Sequence, residues 1–293
     1  MQNEVAKTTI LKGGFHRKVK LIELSDGQKF ILKGFPTDSS EDKNEEWNTL
    51  VYLHNRGYSV PMPIDETNAE IIMQYIENGV IWDFYVDADA TIKKEIIAKY
   101  AKLIYDLHKL EVSNADNSFS GYFIKEELAK IRCFINELQL DNYLKAFNWL
   151  DSESVNISQQ PLCYIHGDYS PWNVLYDNAY KFYAIDMILH QGDYRYDIAW
   201  SYMNIMRAAK FVKDTGVVEF AEDFLAEYAK LNSEILVDFE YFKQLSTLRW
   251  LTHTKRYPEF YMKEKRDEKT GIIIPAQKLV EEAERYLCCG ARE

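Results

Sequence analysis

Apolar and polar positions alternate along the first 35 residues, with strand-like runs at 9–11, 19–24 and 30–33. Asp26-Gly27 separates the last two, and this dipeptide supplies the positive φ angles that a tight hairpin needs. The period then lengthens. Residues 41–55 repeat apolar side chains at Trp47, Leu50, Val51 and Leu53 and stop at Gly57, which predicts a helix. Pro61 and Pro63 keep 60–64 extended, because proline and the residue before it both disfavour helix. Residues 70–76 read as a buried strand broken by Glu77-Asn78-Gly79. From about residue 91 the pattern turns helical. Residues 92–110 carry a stripe through Ile96, Ile97, Tyr100, Leu103, Ile104 and Leu107, with His108 expected to cap or pack at its end. Further helices are predicted over 125–137 and 138–151, then, after a polar connector at 152–160, over 201–213, 217–232, 239–255 and 274–287. No internal repeat interrupts this order.

The length of 293 residues allows one large domain or two smaller ones. Hydrophobic residues at 47 % and charged residues at 28 % are ordinary globular values and argue against long disorder. A net charge of −11 argues against a nucleic-acid surface; it suits a cationic ligand, and equally plain solubility. Cys133, Cys163, Cys288 and Cys289 make no C-x-x-C pair of the zinc type, and the adjacent last two are expected to be reduced thiols. No charged-then-apolar leader pattern opens the chain, and no apolar run approaches the ~18 residues that span a bilayer. A cytoplasmic protein without nucleic-acid or membrane partners is therefore expected, as monomer or homodimer.

Candidate chemistry gathers between 164 and 200: Y-I-H-G-D-Y-S-P-W-N-V-L-Y-D, then F-Y-A-I-D-M, then G-D-Y-R-Y-D-I-A-W. Asp168 and Asn173 stand five apart, the spacing of Asp and Asn in the kinase catalytic loop H-R-D-x-x-x-x-N. Asp186 follows the apolar run 182–185, where a second carboxylate for a metal would sit. Phosphoryl transfer asks a protein mainly for positioning and charge compensation. Asp168 suits the role of taking or orienting an acceptor proton, and Asn173 and Asp186 offer the hard oxygens that magnesium prefers. Lys33 ends the strand F-I-L-K, and Glu46 lies on the following helix with Leu50 and Leu53 at helical spacing; Glu45 is the alternative partner. Gly13-Gly14 serves either as an ordinary turn or as a close approach of backbone amides to a phosphate.

This constellation resembles the aminoglycoside phosphotransferase and choline kinase superfamily. The upstream pieces match in order: Gly13-Gly14, Lys33, E-x-x-x-L-x-x-L from Glu46, V-P-x-P from Val60, M-Q-Y-I-E-N-G, and L-H at Leu107-His108. The resemblance covers residues 9 to about 205. It implies an α+β, bilobal, protein-kinase-like fold, with a small antiparallel-sheet lobe over 1–77, a hinge at 73–79, and a larger, mostly helical lobe over 78–293. Acceptor-binding helices are expected within 80–160 and 205–293. It implies Asp168 as catalytic base, Asn173 and Asp186 as magnesium ligands, and Lys33 and Glu46 as the phosphate lysine and its partner. Gly13 and Gly14 would lie over the phosphates, and the Gln74 carbonyl and Ile76 amide would meet the adenine edge. His166 is expected to anchor the loop, and Asp197 to brace it or cap a helix beginning near Ile198.

The implied activity is transfer of the γ-phosphoryl group of ATP, with GTP not excluded, to a hydroxyl of a small molecule. An aminoglycoside-like or other amine-bearing acceptor, with an antibiotic-resistance role among its implications, stands first; choline or homoserine is the alternative. A non-catalytic, spore-coat-type relative is the competing class, and the intact set Lys33, Asp168, Asn173 and Asp186 speaks against it. Asp193, Trp172 and Tyr194 are the expected acceptor contacts, and Tyr194, Tyr196, Trp200 and Tyr202 a possible aromatic cage for a cation. Two departures stand out. Met187 replaces the aromatic residue common after the metal aspartate, and Tyr169 and Trp172 enlarge the loop.

Overall fold

A computed structural model of the chain describes residues 4–11, 18–36, 40–112, 121–122, 124–209, 216–262, 265–266, 273–274 and 276–290. In chain order the elements are β1 (Val5–Leu11), β2 (Lys18–Leu24), β3 (Lys29–Gly34), α1 (Ser40–Asn55), β4 (Pro63–Glu66), β5 (Glu70–Gln74), α2 (Ile81–Asp87) and α3 (Ala90–His108). They continue as β6 (Gly121–Tyr122), α4 (Ile124–Glu137), α5 (Leu144–Glu153), β7 (Cys163–Ile165), β8 (Val174–Tyr176), β9 (Phe182–Ala184), β10 (His190–Gly192) and α6 (Tyr194–Ala209). Among the described residues there follow α7 (Gly216–Leu231), α8 (Phe239–Arg256), the short α9 (Pro258–Tyr261), the paired strands β11 (Lys265–Arg266) and β12 (Ile273–Ile274), and α10 (Ala276–Gly290). The chain is α+β, with an antiparallel sheet in its N-terminal part and helices in its C-terminal part. Among the described residues no helix is long and apolar enough to cross a membrane.

Two compact units result, one of residues 1–107 with 171–189 and one of 108–170 with 190–293. Besides the sheet and α1, the first unit holds α2, most of α3 and the β8–β9 hairpin. Its sheet runs β1-β2-β3-β5-β4, antiparallel throughout. The expected turn at Asp26-Gly27 closes β2–β3, with Gly27 at φ +86° and its N–H donating to the Leu24 carbonyl. Leu50 and Leu53 of α1 are buried, as are Ile71 and Met73 of β5. α3 carries the 3.6-residue stripe inward through Ile96, Ile97, Tyr100, Leu103, Ile104 and Leu107. The β8–β9 hairpin is tied in by the Ser59 carbonyl, which accepts from the Ala184 N–H at 2.9 Å, and by Phe84 stacked on Tyr176.

The second unit builds its core from α4 to α8 and α10. Phe220, Phe224, Tyr228, Phe242, Leu245, Leu248 and Leu251 are fully enclosed. A three-stranded sheet, β6-β10-β7, carries the chain into the loop at 166–170, with Ile165 opposite His190. Two helices start differently from expectation. Residues 138–151 give a 3-10 turn at Asp141–Tyr143 and then α5, because Gln139 takes a positive φ and breaks the helical path. The helix expected near Ile198 or Ser201 begins at Tyr194, because Asp193 caps it: its Oδ1 accepts the Arg195 N–H at 2.9 Å.

Candidate active site

In the first unit, β3, α1 and the β8–β9 hairpin bring three charges together. Lys33, on β3, is 5 % exposed, and its Nζ lies 2.5 Å from Glu46 Oε1 and within hydrogen-bond reach of Asp186 Oδ1. The choice between Glu45 and Glu46 is decided by the helix face: Glu46 is 6 % exposed, on the buried side with Leu50 and Leu53, whereas Glu45 is exposed. Thr49, one turn on, accepts the Leu189 N–H with its hydroxyl at 2.9 Å, so α1 holds both the lysine's partner and the segment after Asp186. Burying a lone ammonium is costly, and removing one partner of a buried pair typically costs about 3–5 kcal/mol. Lys33 is therefore locked into this pose.

Asn173 and Asp186 sit at the open end of one hairpin. Val174 pairs with Ala184, and the ladder runs one step further, the Ile185 N–H donating to the Asn173 carbonyl at 3.0 Å. Asp186 follows at φ +55°, a left-handed conformation that aspartate tolerates better than most side chains. About half of its side-chain surface is exposed. Met187, next in the chain, is buried. Trp172 is exposed, with its ring 4.7 Å, centroid to centroid, from that of the buried Trp82. Gln74 uses its N–H on the Met62 carbonyl and its side-chain oxygen on the Met62 N–H, while the Ile76 side chain is buried. Gly13 and Gly14 lie outside the described residues.

In the second unit the loop after β7 is held by Asp197, which is wholly buried on the first turn of α6. Its Oδ2 accepts the His166 N–H at 2.7 Å and its Oδ1 the Gly167 N–H at 2.8 Å. His108 Nε2 lies 3.2 Å from the same Oδ2, and His108 Nδ1 is 2.7 Å from the Tyr228 hydroxyl. Burial alone would push the Asp197 carboxyl up, but the His108 hydrogen bond, the nearby imidazoles and the His166 amide outweigh it and hold the group below the usual carboxylate range. Of the two roles expected for Asp197, the structure gives it the loop brace; the cap belongs to Asp193. Gly167 turns the chain at φ +78°, where a Cβ would meet the His190 ring at 3.4 Å.

Asp168 comes next and is exposed, with Trp200 Nε1–H donating to its Oδ1 at 2.7 Å. Its own N–H faces His166 Nδ1 at 3.3 Å, so His166 anchors the loop from both backbone and ring. Tyr169 is fully buried, edge-on to His166. Asp193 is engaged by Arg195 through Nε and Nη2. Tyr194 is buried against His108 and Tyr228. The four rings weighed as a cation cage are taken up within the protein: Tyr196 and Trp200 both face the Arg249 guanidinium, Tyr194 packs on Tyr228, and Tyr202 packs edge-on to Phe239. A cleft of about 170 Å³ opens between α6, α8 and α10, lined by Tyr202, Met206, Arg207, Glu282 and Tyr286 among others. Among the described residues no group of three or more His, Cys, Asp or Glu is arranged to hold a metal by itself.

The Asp197–His108 and Arg249–Glu127 pairs were not foreseen. Their partners are separated by 89 residues in the first case and lie on α8 and α4 in the second. The profile described as "Phosphotransferase enzyme family" matches residues 7–235. Among solved structures, choline kinase LicA from Streptococcus pneumoniae is 19 % identical, over 98 % of this chain and 94 % of that one, with a TM-score of 0.68. Amicoumacin kinase hAmiN in complex with AMP-PNP, Ca2+ and Ami is 15 % identical over 97 % and 89 %, TM-score 0.69. ADP-bound aminoglycoside phosphotransferase APH(2'')-Ib is 16 % identical over 97 % and 93 %, TM-score 0.65. At such identities the likeness is one of fold. No curated protein sequence matches the chain.

Proposed function

The chain belongs to the phosphotransferase enzyme family, and from that premise we propose that it transfers the γ-phosphoryl group of ATP to a hydroxyl of a small, amine-bearing molecule. The observation that carries this reading is the buried Lys33–Glu46 pair beside the half-exposed Asp186. Strand β3, the helix α1 that follows it, and Asp186, 153 residues beyond Lys33, converge there on an arrangement that costs energy to bury and that phosphate binding explains. Lys33 would bind phosphate oxygens, with Glu46 keeping the ammonium aimed. The donor set fits magnesium: Lys33, Glu46 and Asp186 together leave one net negative charge, Asp186 offers a hard carboxylate oxygen, and Asn173 an amide oxygen beside it on the hairpin. Magnesium, when bound by Asp186 and Asn173, would neutralise charge on the triphosphate. Asp168, five residues before Asn173 in the chain, would orient and accept the proton of the attacking hydroxyl. His166, Gly167 and Asp197 would keep its backbone fixed.

The amine-bearing acceptor is favoured by the net charge of −11 and by the choline and aminoglycoside kinases among the similar folds. The α6–α8–α10 cleft is our candidate for the non-reacting part of the acceptor, because Arg207 of its wall packs against Trp200, which bonds Asp168. The test is ATP consumption with magnesium against aminoglycosides, choline, ethanolamine, homoserine and sugars, with Asp168→Ala as the blank. Turnover on one acceptor, absent in the blank, is the expected result. Equal rates in both proteins would remove Asp168 from the mechanism. If ATP neither binds nor turns over, the chain is a non-catalytic relative.

A further inference from the structure

An exposed aspartate at the end of a loop is free to sample several rotamers unless a neighbour fixes it. For Asp168 the Trp200 indole does so, its Nε1–H donating to Oδ1 at 2.7 Å. Indole is a donor only, so this contact can hold a carboxylate without competing for its proton. Trp200 is itself held. It is buried at 8 % exposure, the Arg249 guanidinium lies 4.2 Å from a ring centroid and that of Arg207 5.8 Å. Arg249 also donates through Nη1 to the Gly167 carbonyl at 2.9 Å, and its Nε lies 3.3 Å from the buried Glu127 carboxylate. One guanidinium thus grips both the ring that holds the Asp168 side chain and the backbone immediately before Asp168.

We infer that Trp200 is the positioning residue of the transfer reaction, fixing the orientation in which the Asp168 carboxylate meets the acceptor hydroxyl, with Arg249 and Glu127 as its support. This rests on the phosphotransfer reading above. Catalytic groups need placement to a fraction of an ångström, and a displacement near 1 Å can cost on the order of 100-fold in rate. A tryptophan here therefore does chemistry's positioning while also packing as an aromatic core residue does.

Trp200→Phe in the full chain keeps an aromatic ring under Arg249 and deletes the Nε1–H donor together with the rest of the pyrrole ring. We expect kcat to fall by roughly 10- to 100-fold, with KM for ATP and acceptor within about twofold of wild type and the thermal midpoint little changed. A merely structural tryptophan would give the opposite split: kcat retained, or lost only together with the midpoint. A second readout does not depend on turnover. The indole N–H resonance that vanishes in Trp200→Phe should shift in Asp168→Ala, since that variant removes its acceptor. Wild-type kcat in Trp200→Phe, or an unmoved indole resonance in Asp168→Ala, overturns the inference. Wild-type protein that neither binds magnesium-ATP nor turns over any acceptor, while the resonance does move, refutes the phosphotransfer reading itself and reduces the contact to one of folding.

Discussion

Replacing Asp197 by Asn exchanges one carboxylate oxygen for an NH2 group at the base of the catalytic loop and keeps the shape. The carboxylate accepts three hydrogen bonds, from the His166 and Gly167 amides and from His108, and all lie in a region closed to water. An amide side chain has one acceptor oxygen. If that oxygen takes the Oδ2 position, it still serves His166 and His108, but its NH2 then faces the Gly167 N–H, donor against donor. Leaving one buried amide unsatisfied costs about 1–3 kcal/mol. The two remaining bonds lose their charge assistance, about 0.5–1.5 kcal/mol each, because charged acceptors are roughly twice as strong as neutral ones. The sum is about 2–6 kcal/mol, a large part of the ~5–15 kcal/mol that holds a typical domain folded. At about 2–4 °C per kcal/mol this lowers the thermal midpoint by roughly 5–20 °C. Thermal unfolding followed by circular dichroism measures it, with Asp197→Ala, which deletes both acceptor oxygens and all three hydrogen bonds, as the more severe companion. A midpoint for Asp197→Asn equal to wild type, or an Ala variant milder than the Asn variant, would refute the bracing argument.

The same carboxylate makes an acid-stability prediction. Its folded pKa lies below the unfolded value of about 3.9, so the stabilisation is present above that pH and is lost as pH falls through the lowered folded value. Asp238, held low against its partial burial by Ser158 and Arg195, adds in the same window. Asp197→Asn should therefore show a shallower loss of stability below about pH 4 than wild type; parallel acid-unfolding curves would contradict this. For the metal role, Asp186→Ala should weaken magnesium-dependent binding of ADP by on the order of tenfold or more in calorimetric titration, with metal-free ADP binding less affected. Identical isotherms for the two proteins would exclude Asp186 as a ligand.

Much of this molecule can be read from residue order where structure is local. The hairpin at Asp26-Gly27 and helices α1, α3, α4, α7 and α8 follow directly from turn chemistry and apolar spacing. The Lys33 partner was narrowed to two adjacent glutamates by the same spacing, and burial of one face of α1 selects Glu46. What escaped is short or non-local. α2 spans only the seven residues Ile81–Asp87, and its N-cap, Val80, makes no side-chain hydrogen bond, so neither periodicity nor capping chemistry announces it. The start of α6 was displaced because Asp193, which caps it, was read as an acceptor contact. The polar partners of the loop, His108, Asp197, Arg249 and Glu127, come from α3, α6, α8 and α4, and no spacing rule links them. Tyr194, Trp200 and Tyr202 show the same limit from the other side. Aromatic residues near a site suggest a cage by composition, yet each is used in packing, and Trp200 is spent on holding Asp168.

The central claim is phosphoryl transfer to a small-molecule hydroxyl, and its most direct test is mass spectrometry of the acceptor after incubation with magnesium-ATP and either wild type or Asp168→Ala. The account predicts an acceptor that gains one phosphoryl group with wild type and stays unmodified with the variant. Phosphorylated acceptor from both proteins would contradict the role of Asp168, and unmodified acceptors throughout the amine-bearing and sugar panel, with no binding of magnesium-ATP, would contradict the function.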